Sequence, residues 1–195
     1  MNDLKVELRK YPSEEDMKLV KEAIWVTMGK WQRAKNPPSD NLLYKILKAR
    51  HSPIRLMTFV FAIENIPSNT SVHLCRHIHA VPFVESLRND RQTKMDGDAA
   101  RRDTPVNMLY MVNAEELMII ANKRLCGKAS ANTRKVVKAM CDEAVKVCPM
   151  LNDFLVPMCH YCHECKEVEP CGLWDRVQVM NQIIEKKVND NEQCE

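Results

Sequence analysis

His51-Ser52-Pro53-Ile54-Arg55-Leu56-Met57-Thr58-Phe59-Val60-Phe61-Ala62-Ile63-Glu64 carries the clearest structural signal in this chain. Met57, Phe59, Phe61 and Ile63 recur every second residue, so a strand over residues 55–64 places all four on one face, with His51-Ser52-Pro53 as its entry turn. Upstream, residues 3–9 read as a short first strand. Ser13 is placed to cap a helix running to about Lys30, which carries Met17, Val20, Ile24 and Met28 at helical spacing. Pro37-Pro38 breaks the chain, and Ser39 or Asp40 caps a second helix to about Ala49. Downstream, Pro67-Ser68-Asn69 restarts a helix through about His77, and residues 80–104 read as irregular and charged. Helices follow at about 113–126 and 130–147, a shorter one near 150–156, and an amphipathic one at about 173–188. Neither an internal repeat nor a low-complexity segment interrupts this order. It describes a mixed α/β domain with more helix than strand.

Length and composition narrow the classes. A chain of 195 residues suits one domain with a small appendage, here 1–172 followed by a helix and tail at 173–195. Its 45% hydrophobic and 28% charged residues fit a soluble globular protein and exclude a disordered one. The longest apolar stretch, Leu56 to Ile63, is too short to cross a bilayer. Met1 to Lys10 lacks an apolar signal core, so the expectation is a cytoplasmic protein without membrane partners. A net charge of +3 is too mild to argue for nucleic acid. Four glycines, Gly29, Gly97, Gly127 and Gly172, are too scattered to build a Walker A loop or a dinucleotide fingerprint. A nucleotide bound here must be held by side chains.

Three further features bear on chemistry. His73, Arg76 and His77 share one face of the helix ending near His77, apart from Val72, Cys75 and Ile78. That face suits an anionic or planar ligand, or is simply a basic solvent face. Arg124 lies seven residues after Leu117, within or beside the stripe of Leu117, Ile120, Ala121 and Leu125. A guanidinium there needs an anionic ligand or an internal ion pair with Glu115, Glu116 or another acid. Glu85-Ser86-Leu87-Arg88 follows Pro82, with a hydroxyl and a guanidinium of the kind that loops use for phosphate. A basic run of Lys123, Arg124, Lys128, Arg134, Lys135 and Lys138 is either a solvated helix face or a phosphate site.

Nine cysteines without a secretory signal point to reduced thiols with metal or redox roles. Cys159, Cys162, Cys165 and Cys171 have the spacing of soft-metal ligands such as those of zinc. The first three are crowded for one tetrahedral ion, and reduced structural thiols are the alternative.

Taken together, three segments resemble the flavin-dependent thymidylate synthase family. The first is His51-Ser52-Pro53-Ile54-Arg55 with its strand. The second is Arg76-His77-Ile78, seven residues, then Ser86-Leu87-Arg88, similar to the family motif Arg-His-Arg, seven residues, Ser. The third is Asn113-Ala114 with Arg124 ten residues after Ala114, within Asn-Ala-Glu-Glu-Leu…Lys-Arg-Leu-Cys-Gly-Lys-Ala. Arg102-Asp103-Thr104-Pro105-Val106-Asn107 and Val156-Pro157-Met158-Cys159 resemble a short-chain branch. The likeness covers about residues 48–172.

The resemblance implies an α+β fold with a central antiparallel sheet and flanking helices. It implies a homotetramer with FAD and nucleotide at subunit junctions. His51, Arg55, Arg76, His77 and Asn113 would contact FAD. Glu85, Ser86, Arg88, Arg102 and Arg124 would hold dUMP, with Ser86 and Arg124 nearest the reaction. Methylenetetrahydrofolate would supply the one-carbon unit and NADPH the reducing equivalents, giving dTMP, with the protein positioning and polarising rather than attacking. Ile78 departs from the motif by removing a cation, Glu115 stands where many members carry Arg, and Val84 replaces a polar residue. These departures raise a second outcome, a 5-hydroxymethyl product from dUMP or dCMP, and a third, a non-catalytic metal-binding or interaction protein that kept the fold.

Overall fold

A computed structural model describes residues 3–181 of the chain. Four antiparallel strands form one sheet in the order β1-β2-β4-β3: β1 (Lys5–Lys10), β2 (Thr58–Pro67), β3 (Val81–Val84) and β4 (Pro105–Asn113). The helices are α1 (Glu14–Thr27), α2 (Asp40–Lys48), α3 (Ser68–Cys75), α4 (Ala114–Arg124), α5 (Ala131–Val147) and α6 (Met158–Cys162). Residues 173–181 are also helical, and are called α7 below. The expected helix at 173–188 therefore lies partly outside the described residues. Among the described residues, no helix is long and apolar enough to cross a membrane.

β2 is the centre of the core, as its period of two implies. Phe59, Phe61 and Ile63 are fully buried, each contributing about 1.5–3 kcal/mol by leaving water. Their face meets α5 and, from β4, Val106, Met108, Tyr110 and Val112. The strand starts later than the sequence suggests. Pro53 at the start of a 3-10 turn, Ser52–Leu56, keeps Arg55 and Leu56 out of the sheet.

Caps fix the ends of the helices. Ser13 and Asp16 form a reciprocal capping box on α1, and Ser39 caps α2 through Leu42 N at 3.4 Å. α1 stops at Thr27 rather than Lys30, where Gly29 adopts a φ of 75° that ends a helix. Ile24 is buried but Met28 is exposed. α4 and α5 follow the expected spans. The expected helix at 150–156 is instead a 3-10 turn, Pro149–Asp153, followed by the short α6.

Two strands break the irregular reading of residues 80–104 and the region after it. β4 had a legible alternation, Val106-Met108-Tyr110-Val112, masked by the apolar Leu109 and Met111 between. β3 carries Pro82, which an edge strand tolerates. The orientation of α3 is also opposite to the one expected. Val72 and Ile78 face outward and His77 is buried, while Thr70, Ser71 and Leu74 fill the inner side.

Among the described residues, no helix covers the outer face of the β3–β4 edge. Val81 pairs with Met111, and Phe83 with Leu109. All four side chains are exposed, Phe83 by 62%. They make a contiguous apolar patch at the β3–β4 edge.

Candidate functional site

β4 leads directly into α4, and Asn113 at the junction caps the helix by accepting from Glu116 N at 2.9 Å. That cap fixes the direction of Glu116, whose side chain enters the protein at 3% exposure. A buried carboxyl without a partner is costly. Here its Oε1 lies 3.1 Å from Nδ1 of His77. On the other side of the ring, Nε2 accepts from Arg124 Nε at 3.1 Å. Since Nε2 accepts, the proton sits on Nδ1 and is donated to Glu116. His77 is therefore a neutral imidazole between an acid and a guanidinium.

The electrostatics agree with this assignment. Burial, with the charges of Arg124 and Lys123, lowers the His77 pKa to about 4. Burial raises Glu116 above its ordinary range. Arg124 is held a second time, Nη2 donating to the His73 carbonyl at 3.1 Å. Tyr110 completes the support: its hydroxyl donates to the Leu74 carbonyl at 3.1 Å and ties the end of α3 to the sheet. His73 itself is placed by Thr133 of α5, 2.8 Å from Nδ1.

Arg124 thus has donors committed to neutral groups, and among the described residues no carboxylate lies within ion-pairing distance of it. Its own charge is disfavoured first by burial and then by Arg76 beside it. Two neighbouring guanidiniums without an acid repel each other in a partly desolvated place, and an anion would relieve both. The internal ion pair with Glu115 or Glu116 does not form. Glu116 reaches Arg124 only through the imidazole, and Glu115 pairs with Arg55.

Arg76, though not Arg124, lines an open groove of about 600 Å³ together with Asn69, His73, Glu85, Leu87 and Arg102 among others. Arg102, like Arg76, has no carboxylate partner among the described residues. Beside the groove is a smaller recess of about 250 Å³ that includes Ser86 and Lys94. The groove sits at the exit of β3 and the start of α3, where the loop 85–104 returns to the sheet.

The other expected site residues fall into different settings. Glu85 accepts from Asn107 N and Nδ2 and from Lys94. The Lys94 bond, above all, holds it below the usual carboxylate range. Its carboxylate pins the loop to β4. Ser86 Oγ accepts from Arg88 N at 3.3 Å. Arg88 is exposed and engages Asp90 through both Nε and Nη2. His51 is exposed at the N-cap of the Ser52–Leu56 turn and makes no side-chain capping bond. Arg55 donates to both oxygens of Glu115. His77, expected to meet FAD from an exposed face, is buried at 6% exposure and turned toward Glu116 instead.

The basic run resolves mostly into structural contacts. Arg134 donates to the carbonyls of Cys126, Gly127 and Ala129 and closes the α4–α5 loop. Lys138 pairs with Asp142, and Lys128 with Glu169. A separate cavity of about 480 Å³, near α5 and α6, is lined by apolar side chains such as Leu125, Val145 and Leu155 and by Arg134, Lys138 and Asp142. It lacks the cluster of unmatched arginines. Of the expected metal ligands, Cys162 turns toward Met158 sulfur at 3.3 Å, whereas Cys159, Cys165 and Cys171 line one recess with Cys126. Among the described residues, no three potential ligands are set to hold an ion.

The fold, one antiparallel sheet with helices packed against one face, is similar to that of solved flavin-dependent thymidylate synthases. In particular, the chain is similar to thymidylate synthase X (ThyX) from Helicobacter pylori, solved with FAD and dUMP. That match has a TM-score of 0.60 at 15% identity, over 72% of this chain and 92% of that one. It is also similar to the UMP/dUMP methylase PolB from Streptomyces cacaoi, bound with 5-Br dUMP, with a TM-score of 0.60 at 17% identity, over 79% and 97%. At such identities the likeness is one of fold. No family model and no curated protein matches the sequence.

Proposed function

We propose that this chain is an enzyme that transfers a one-carbon unit from methylenetetrahydrofolate to C5 of dUMP, using FAD and NADPH, to give dTMP. The observation that carries the reading is the Arg76–Arg124 pair, two neighbouring guanidiniums without a carboxylate, one of them half-buried on a neutral His77. A nucleotide phosphate is the ligand that such a pair suits, because its oxygens accept from several guanidinium donors at once. Arg102 adds a third cation along the groove, and Ser86 and Arg88 are assigned to the nucleotide on the resemblance. The two solved structures of this fold named above, each holding dUMP or its bromo analogue, support the same choice.

The donor set left for FAD is smaller than the resemblance implies. With Arg76 given to the nucleotide phosphate, His51 is left as an open hydrogen-bonding side chain, and Asn113 is half-buried at the β4–α4 junction. Arg55 is already matched by Glu115 and His77 by Glu116. FAD, once reduced, supplies the hydride that completes the methyl group. The chain's own part is to hold the phosphate with Arg124, keep that guanidinium in place through His77, and polarise the uracil ring within the groove.

A single chain leaves the site open on one side, and the apolar patch of Val81, Phe83, Leu109 and Met111 supports assembly into a homo-oligomer, a tetramer on the resemblance. Light scattering of wild type against Phe83→Asp tests this. A wild-type oligomer that dissociates in the variant supports the reading, and a monomeric wild type removes it.

One observation favours a second product. Ile78, where the family motif has Arg, is 84% exposed and contributes no charge. With that cation gone, water could trap the methylene intermediate to yield the 5-hydroxymethyl nucleotide. Anaerobic incubation with FAD, NADPH, methylenetetrahydrofolate and dUMP, with the product read by mass, decides between them. Thymidylate supports the first reading, an additional oxygen the second. Neither product from dUMP or dCMP, together with no bound flavin, overturns both and leaves an interaction protein.

A further inference from the structure

Four thiols from separate stretches of chain meet just beyond the C-terminus of α4. Cys126 lies in the α4–α5 loop, Cys159 in α6, and Cys165 and Cys171 in the loop that leads to α7. All four line a single recess of about 30 Å³, with Gly127, Met158 and Trp174 among its walls. That volume suits one ion or one water and is too small for an organic ligand.

The two sides of the recess are closely matched. A Cβ on Gly127 would stand 3.2 Å from the sulfur of Cys171, so the absence of a side chain there lets the two loops approach. Lys128 pairs with Glu169 across the same gap at 3.5 Å. Cys126 sulfur lies 3.9 Å from the Glu167 carboxylate. Gly172, directly after Cys171, takes a φ of 70° that side chains rarely adopt. A glycine thus follows a thiol twice, at Gly127 because the Cys171 side chain comes close and at Gly172 because of its left-handed backbone.

The segment that carries three of these cysteines has little else to hold it. α6 buries no residue. Its main anchor to the body is Tyr161, whose ring lies under the Arg50 guanidinium at 4.3 Å and whose hydroxyl donates to the Lys48 carbonyl. A loop without apolar burial of its own needs a cross-link if it is to keep one shape. His160 and His163 pack against the ring of Trp174, and neither lines the recess.

We propose that Cys126, Cys159, Cys165 and Cys171 bind one zinc ion as a structural tetrathiolate site, with Cys162 outside it. This set removes the crowding of the Cys159-Cys162-Cys165 run. Five residues separate each ligand of the second loop from the next, and Cys126 supplies the opposite side. In the present arrangement the sulfurs are not closed around one point. Each has one side-chain rotor, so closure to Zn–S distances of about 2.3 Å calls for rotamer changes and a small loop adjustment. Each ligating thiol gives its proton to solvent as the Zn–S bond forms. The site does not depend on nucleotide or flavin binding.

The test uses the full-length chain, purified under reducing conditions with zinc supplied, and measures metal by mass spectrometry alongside native thiol reactivity. The expected result is one zinc per chain in wild type and in Cys162→Ser, and its loss in Cys126→Ser and Cys171→Ser. If Cys126→Ser keeps its zinc, or Cys162→Ser loses it, the ligand set is wrong; a wild type without zinc overturns the site itself. If the serine variants fail to fold, cobalt(II) in the wild type still reads the coordination. Intense sulfur-to-cobalt charge transfer with tetrahedral d–d bands is expected, and a weak octahedral spectrum overturns the proposal.

Discussion

Glu115 and Glu116 are consecutive on α4 and have opposite fates. Glu115 points outward and matches Arg55, closing a charge pair on the surface. Glu116 points inward, and its proton-sharing partner is a neutral imidazole that in turn holds Arg124. One pair is complete without any ligand. The other fixes a cation in place and leaves its charge unanswered. The lesson is that a cation reserved for a ligand is recognised by neutral supports more than by exposure, because a carboxylate in contact would compete with the anion it is meant to bind.

The contrast is most strongly tested by nucleotide affinity. Replacing Arg124 by Met is expected to weaken dUMP binding about 10- to 100-fold, the scale of losing charge-assisted hydrogen bonds, when measured by calorimetry. Arg55→Met is expected to change it no more than about threefold. Equal losses in the two variants would erase the distinction.

Stability should separate the pairs next. His77→Phe leaves the Glu116 carboxyl and Arg124 Nε without a partner, a cost of about 3 kcal/mol, seen as a fall in Tm of roughly 6–12 °C. A variant as stable as wild type would mean that the imidazole does not carry the contacts described.

The pH dependence follows from the same ring. An unfolded imidazole titrates near 6.5, while His77 in the fold titrates near 4, so the unfolded chain takes up the proton first as pH falls. His77 therefore lowers folding stability progressively from about pH 6.5 down to about pH 4, with its contribution intact above that window. Chemical denaturation across this range should show the slope in wild type and a flatter one in His77→Gln. The smallest effect is expected at the surface pair. A double-mutant cycle on Arg55 and Glu115 should give little coupling, and less still in high salt, because the Arg55 end is open to water.

Much of the scaffold could be read from the chain because its signals are local. The alternation of Phe59, Phe61 and Ile63, the Ser13 and Ser39 caps, and the Leu117–Ile120–Ala121 stripe depend on near neighbours only. β4 escaped because Leu109 and Met111 filled its outer face with apolar side chains, which hides a period of two. α3 was read with the wrong side inward because Val72 and Ile78 are apolar, although the patch beside them shows that apolar need not mean buried. In the candidate site, Arg124 was marked by its place in a buried stripe. Glu116 carried a similar mark, spaced four and eight residues from Ile120 and Arg124. The imidazole between them was not legible, since it joins two elements that only the sheet brings together. Cys126 was missed for the same reason.

Tyr110 gives β4 a further property. Its hydroxyl holds the end of α3 from the inner face, while Leu109 and Met111, its immediate neighbours, belong to the bare outer face. A contact made on the outside of this strand is thus one residue away from the group that sets the position of His73 and Arg76. On the proposed function, whatever an outer contact added to nucleotide affinity, the nucleotide would return in equal measure to the association of the chains.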